Sequence, residues 1–180
     1  MLDPTATSAG LPLYFAGKIS SDDWRLTLFP DLRQARLPGN PPPESVSVTA
    51  PGGFLVAYTG PFFISCDHGC WHGPGTHGVG VGLPSTDGGV ADPEIDVVRR
   101  SLAGIARAER VFAFVENPSA YGTFAEMGFA AALGRPIFLA LDTRQPIAWS
   151  RDAWFVLRLA STVYLARDVL DAWQAFAASL

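Results

Sequence analysis

The stretch Val111-Phe112-Ala113-Phe114-Val115-Glu116-Asn117-Pro118-Ser119-Ala120-Tyr121-Gly122-Thr123-Phe124-Ala125-Glu126 decides the fold, together with its continuation through Leu133-Gly134-Arg135-Pro136 into Ile137-Phe138-Leu139-Ala140-Leu141. Residues 111–115 form a β-branched and aromatic run without alternation, which predicts a strand buried on both faces. Residues 123–133 predict a helix that stops at Gly134, with Pro136 just beyond it. Residues 137–141 repeat the buried-strand pattern. Strand, turn, helix and strand in this order make a parallel βαβ unit.

Outward from this unit the same alternation continues. Upstream, Asp92-Pro93 supplies a cap and a first-turn proline, and Ile95, Val98, Leu102 and Ile105 recur at helical spacing over residues 93–107. Residues 11–15 and 54–58 predict two further strands. Asp22 and Asp23 offer a cap for a short helix that Pro30 cuts off. Downstream, residues 162–165 predict a last strand and 169–178 a closing helix. The expected architecture is α/β: a doubly wound parallel sheet, Rossmann- or flavodoxin-like, in one domain over residues 1–180. Residues 30–53 and 65–90 are expected to be long loops.

Ligands of such sheets bind beyond the carboxyl ends of the strands. That places the turn 116–123 and the following helix at the expected site. Gly122 permits close backbone approach, the helix N-terminus favours anionic groups, and Glu126 lies one turn further in. Thr123-Phe124-Ala125-Glu126 also fits the S/T-x-x-E capping box, in which Glu126 would only satisfy a backbone N–H. Glu116, ending a buried strand, is a second carboxylate candidate.

Gly122-Thr123-x-x-Glu126-x-Gly128-x-Ala130-x-x-Leu133-Gly134-Arg135-Pro136 resembles the signature of the nucleoside 2-deoxyribosyltransferase family. Tyr14-Phe15-Ala16-Gly17-Lys18-Ile19 is similar to the opening strand and turn of its 2'-deoxynucleoside 5'-phosphate N-hydrolase branch. The resemblance covers the first strand and residues 93–141, and leaves out residues 30–90. It implies cleavage of the bond between a nucleobase and its sugar, by hydrolysis or by base exchange, through a covalent glycosyl–Glu126 ester. It also implies that Tyr14 lies beside the sugar and nucleophile, that Gly17 leaves room for the substrate, and that the chain forms homodimers or higher homo-oligomers. Where transferases of the family carry an Asp six residues before the nucleophile, this chain has Ala120. The phosphate-binding Ser of the hydrolase branch is matched by Ser119, displaced by one residue. That branch's Arg after the first strand is Ser20 here, with Lys18 and Arg25 as the nearest cations. The phosphoribohydrolases of the lysine-decarboxylase-like group match less well, because their glycine pair is Ala120-Tyr121 here.

Every cysteine and histidine of the chain lies in Cys66-Asp67-His68-Gly69-Cys70-Trp71-His72-Gly73-Pro74-Gly75-Thr76-His77. Three readings compete. Cys66, His68, Cys70, His72 and His77 could furnish four zinc ligands. His72 or His77 could protonate the departing base, with Asp67 sharing that work or holding the sugar hydroxyls. The stretch could also be a tight Gly-rich loop and nothing more. Catalysis itself is expected to need no cofactor, and zinc is the one candidate metal. Two other functions stay open: an NAD-type dinucleotide glycohydrolase, for which Trp71 could stack on the nicotinamide ring, and a non-catalytic nucleotide-binding or sensing module.

Composition excludes several classes. A net charge of -4 and 17% charged residues offer no basic face for a nucleic-acid backbone. No apolar run is long enough to span a bilayer, and residues 1–10 lack the pattern of a signal peptide, so a cytoplasmic location is expected. The expected partner is a small nucleoside or nucleotide. Trp149, Trp154 and Trp173 read as core or dimer-interface aromatics.

Overall fold

In the computed structural model, which describes residues 10–19, 23–33, 44–61, 93–144 and 150–180, alternate side chains of the central strands divide between two cores. Along β1 (Leu11–Ala16), Leu13 and Phe15 point to one face while Tyr14 and Ala16 point to the other. β4 (Arg110–Val115) and β5 (Ile137–Asp142) split in the same way, with Phe112, Phe114, Phe138 and Ala140 on the first face and Val111, Ala113, Leu139 and Leu141 on the second. A strand buried on both sides has no polar face to show, which is why these runs lack alternation.

Six strands form one sheet in the order β2-β3-β1-β4-β5-β6. β1, β3 (Phe54–Tyr58), β4, β5 and β6 (Thr162–Ala166) run parallel, and β2 (Val46–Ala50) joins the edge antiparallel to β3. α1 (Arg25–Leu28) and α5 (Val169–Ala177) cover the first face, where Trp24, Leu28, Trp173 and Phe176 meet the strand aromatics. α2 (Pro93–Arg107) and α3 (Tyr121–Ala132) cover the second with Ile105, Met127 and Ala130, and α4 (Trp154–Leu157) packs against α3. Helices on both faces make the sheet doubly wound, as the alternation of elements predicts. The parallel strands have flavodoxin-like order, and successive strands leave β1 in opposite directions, so the crevice between β1 and β4 is the topological switch point.

Two expectations are corrected. Residues 30–53 are not wholly loop, because Val46–Ala50 is a strand with alternating burial. It turns back through Pro51-Gly52-Gly53, where both glycines adopt positive φ and Gly53 N–H donates to the Ala50 carbonyl at 3.1 Å. α3 begins at Tyr121, two residues before the expected start. Of the tryptophans expected in the core or at a dimer interface, Trp173 is buried at the centre of the core and Trp154 is 64% exposed. Trp149 and residues 34–43 lie outside the described residues.

Candidate active site

The turn after β1 is held from behind. Asp23 and Arg25 are both fully buried, joined by Arg25 Nη1 to Asp23 Oδ1 and Oδ2 at 2.9 and 2.8 Å. Nε donates to the Phe15 carbonyl at 2.9 Å, and Nη2 donates to the carbonyls of Phe15 and Gly17 at 2.7 and 2.8 Å. The guanidinium has five N–H donors, and these five bonds occupy them. Arg25 is therefore a clamp on the β1 terminus, and it has no donor left for a phosphate. Lys18 remains exposed on the rim.

The turn after β4 leads into α3, whose N-cap position is Ala120, with no side-chain cap bond. Thr123 is the third residue of the helix and Glu126 the sixth. The capping box is thus overturned: a box needs its Thr before the helix, and Glu126 is too deep to reach back. The Glu126 carboxylate instead accepts a 2.5 Å hydrogen bond from the Tyr14 hydroxyl, across the switch-point crevice. Burial pushes the Glu126 carboxyl up to about 7, against the Tyr14 hydrogen bond and the Arg25 charge, which pull it down. Burial and the neighbouring carboxylate hold the Tyr14 phenol well above its ordinary range. Tyr14 stays the donor.

A cavity of about 260 Å³ opens over this pair. Its walls come from Gly17, Lys18 and Ile19 after β1, from Ser101 of α2, and from residues 119–123 with Glu126. Glu126, Gly17, Lys18, Ser119, Gly122 and Thr123 therefore meet at one site, as the sequence places them. Tyr14 is fully buried behind Glu126 and does not line the cavity, so it touches the carboxylate and not the ligand space. Gly17 lines the cavity, and a Cβ there would also come within 2.7 Å of the Trp24 indole. Gly122 faces open space at the cavity, since a Cβ there would meet nothing within 4 Å.

The polar groups at the α3 N-terminus are only partly used. Thr123 lines the cavity but is only 3% exposed, and its buried Oγ1 has no hydrogen-bond partner among the described residues. Ser119 is turned inward on Asn117, donating from N and Oγ to Asn117 Oδ1 at 3.0 and 2.5 Å. Glu116 is not in the cavity wall. It sits beside Arg144 and Asp142, and burial, followed by the Asp142 charge, raises its pKa.

Cys66, Asp67, His68, Cys70, Trp71, His72 and His77 lie outside the described residues. Among the described residues no group of three or more His, Cys, Asp or Glu side chains could hold a metal ion, and no helix is long and apolar enough to cross a membrane.

Sequence reasoning missed Ser101 and Gly104. A Cβ at Gly104 would fall 2.3 Å from the Thr59 carbonyl oxygen and 3.1 Å from the Tyr14 ring, so only glycine lets α2 lie this close to β1 and β3. A small residue inside an otherwise amphipathic helix was the available signal.

No protein-family model matches the chain, and neither does any curated protein.

Proposed function

We propose that the protein is an N-glycosidase or glycosyl transferase of the nucleoside 2-deoxyribosyltransferase-like kind, acting on a small nucleoside or nucleotide with Glu126 as nucleophile. The single observation that carries this reading is the Glu126 carboxylate at the switch-point cavity, gripped by Tyr14 in a pocket that raises its pKa to about 7. Near neutral pH about half of it is ionised, and desolvation makes that carboxylate a stronger nucleophile than one in water.

The sugar's anomeric carbon becomes oxocarbenium-like as the base departs. Glu126 forms a C–O bond to that carbon as the C–N bond breaks, and the bonding pair leaves on the base nitrogen, which takes up a proton. Water, or a second base, then attacks the same carbon and releases the carboxylate. A water nucleophile passes its proton to the group that protonated the base, which restores that group and leaves Glu126 ionised. The proton donor to the base is taken to be His72 or His77, with Asp67 or solvent as alternatives; Glu116, the remaining candidate, lies outside the cavity wall. The uncapped α3 N-terminus, the unpartnered Thr123 hydroxyl and Lys18 favour an anionic or hydroxyl-rich end of the ligand nearby.

A homodimer or higher homo-oligomer is part of the proposal, supported by exposed Trp154, Phe155, Val163 and Leu165 on α4 and β6. A cytoplasmic location is proposed with it.

The test is incubation with a panel of nucleosides, nucleoside monophosphates and NAD, followed by chromatography. Release of free base from a mononucleoside or its monophosphate is expected. Release of nicotinamide alone would establish the dinucleotide reading, and tight binding without any product would establish the sensing module.

A further inference from the structure

Most residues lining the cavity over Glu126 are small or polar, and the two exceptions are Ile19 and Tyr121, one on each turn that flanks the crevice. Of the four tyrosines, Tyr14 and Tyr58 are buried and Tyr164 is half-buried, whereas Tyr121 is 77% exposed. An aromatic ring carries a large apolar area whose removal from water is favourable, and little among the described residues covers this one.

Tyr121 is the first residue of α3. Side chains of a helix lean toward its N-terminus, so this ring leans outward over the mouth of the cavity. Gly122 beside it leaves the floor open, since a Cβ there would meet nothing within 4 Å. Glu126 follows five residues later, about 7.5 Å along the helix axis. A sugar and the ring attached to it can bridge that separation.

We propose that Tyr121 is the stacking platform of this site, on which the planar aromatic leaving group of the ligand lies while Glu126 stands below the sugar. Stacking holds a base by its face and is indifferent to the pattern of groups along its edge. Tyr121 therefore grips the ring and leaves the edge nitrogens open to the proton that the departing base must receive. That the stacked ring is a leaving group rests on the function proposed above. The hold of Tyr121 on a planar base needs no turnover.

The experiment is titration of free adenine into the full chain, followed by NMR. An exposed side chain can be exchanged with little effect on stability, which thermal unfolding of each variant checks. Adenine is expected to bind the wild type, and Tyr121→Leu, which keeps apolar bulk without an aromatic face, to weaken it about fivefold or more. Tyr121→Phe, which keeps the ring, is expected to bind adenine as the wild type does. A wild type that does not bind adenine overturns the proposal, as does a Leu variant that binds it equally well. A Phe variant as weak as the Leu variant also overturns it, because the hydroxyl and not the ring would then make the contact. In the cleavage assay the Leu variant should raise KM by a similar factor. If base is released with KM unchanged in Tyr121→Leu, the platform falls and the functional reading stands. If adenine binds through Tyr121 and no substrate releases base, the functional reading falls and the platform stands.

Discussion

Two buried polar pairs flank the end of β1, and they are built to opposite specifications. On one side, Asp23 and Arg25 close every guanidinium donor onto a carboxylate or a backbone carbonyl. On the other, Tyr14 and Glu126 share one hydrogen bond, and the carboxylate carries a pKa raised by burial beside an unpartnered Thr123 hydroxyl. A fully satisfied pair has nothing left to offer a ligand, and its role is to fix backbone. An under-satisfied pair is held away from its preferred protonation state and can release that free energy in a reaction. The difference separates scaffold from chemistry more sharply than residue type does, since the clamp is the more highly charged of the two.

The largest effect that would test this contrast is on turnover. Glu126→Ala should lower base release by about a thousandfold or more with the fold retained, as expected for loss of a nucleophile. A loss below tenfold would place Glu126 on the scaffold side.

Arg25→Ala should act mainly on stability. Removing one member of a buried ion pair costs about 3–5 kcal/mol, which for a chain of this size lowers Tm by roughly 10 °C. Thermal unfolding checks this, and an unchanged Tm would show that the clamp holds nothing.

Glu126→Gln should stabilise the protein at pH 8. The folded-state pKa of Glu126, about 7, lies above the ordinary 4.5, so the folded state favours the proton. Its contribution to stability is full below the unfolded value and is lost as pH rises through 7. The Gln variant escapes that loss, by on the order of 2–3 kcal/mol at pH 8 and nothing near pH 4. Denaturant titrations of both proteins at the two pH values would sharpen the comparison, and equal stabilities at pH 8 would deny that the carboxylate is poised.

Tyr14→Phe is the smallest. It removes a bond to a charged acceptor, worth about 1.5–3 kcal/mol, and so raises the Glu126 pKa. Activity should fall roughly tenfold at pH 7 and recover toward pH 9. A loss that is the same at every pH would assign Tyr14 to packing alone.

The sheet was legible because its central strands are apolar on both faces, as in Val111 to Val115, and no helix of similar length reads that way. β2 was hidden by the proline-rich stretch before it, although Val46, Val48 and Ala50 alternate with Ser47 and Thr49. Strand, turn and helix in order put Glu126 at the ligand edge of the sheet, but its reading as a nucleophile came from the family resemblance of residues 122–136 and not from that order. The start of its helix could not, because Thr123 and Glu126 mimic a cap while the true N-cap, Ala120, has no polar atom to betray it. Arg25 looked like a phosphate ligand from its position, and only the carbonyls of Phe15 and Gly17 reveal what occupies it. Ser101 carries no signal in one dimension. Its place at the site comes from the cavity wall it shares with Glu126, 25 residues later in the chain.

The bond from Tyr14 to Glu126 spans 112 residues, and β1 pairs with β4 over a similar separation. β4, α3 and β5 are contiguous and can assemble among themselves. β1 leaves the ribosome first and waits for its central neighbour, about 5–20 s at ordinary rates of synthesis. Throughout that interval the nascent chain holds a tyrosine without its carboxylate, and no chain that stops before α3 contains the Tyr14–Glu126 pair. The Tyr14–Glu126 pair therefore depends on the most non-local pairing among the described strands, and a chain stalled before β4 cannot form it.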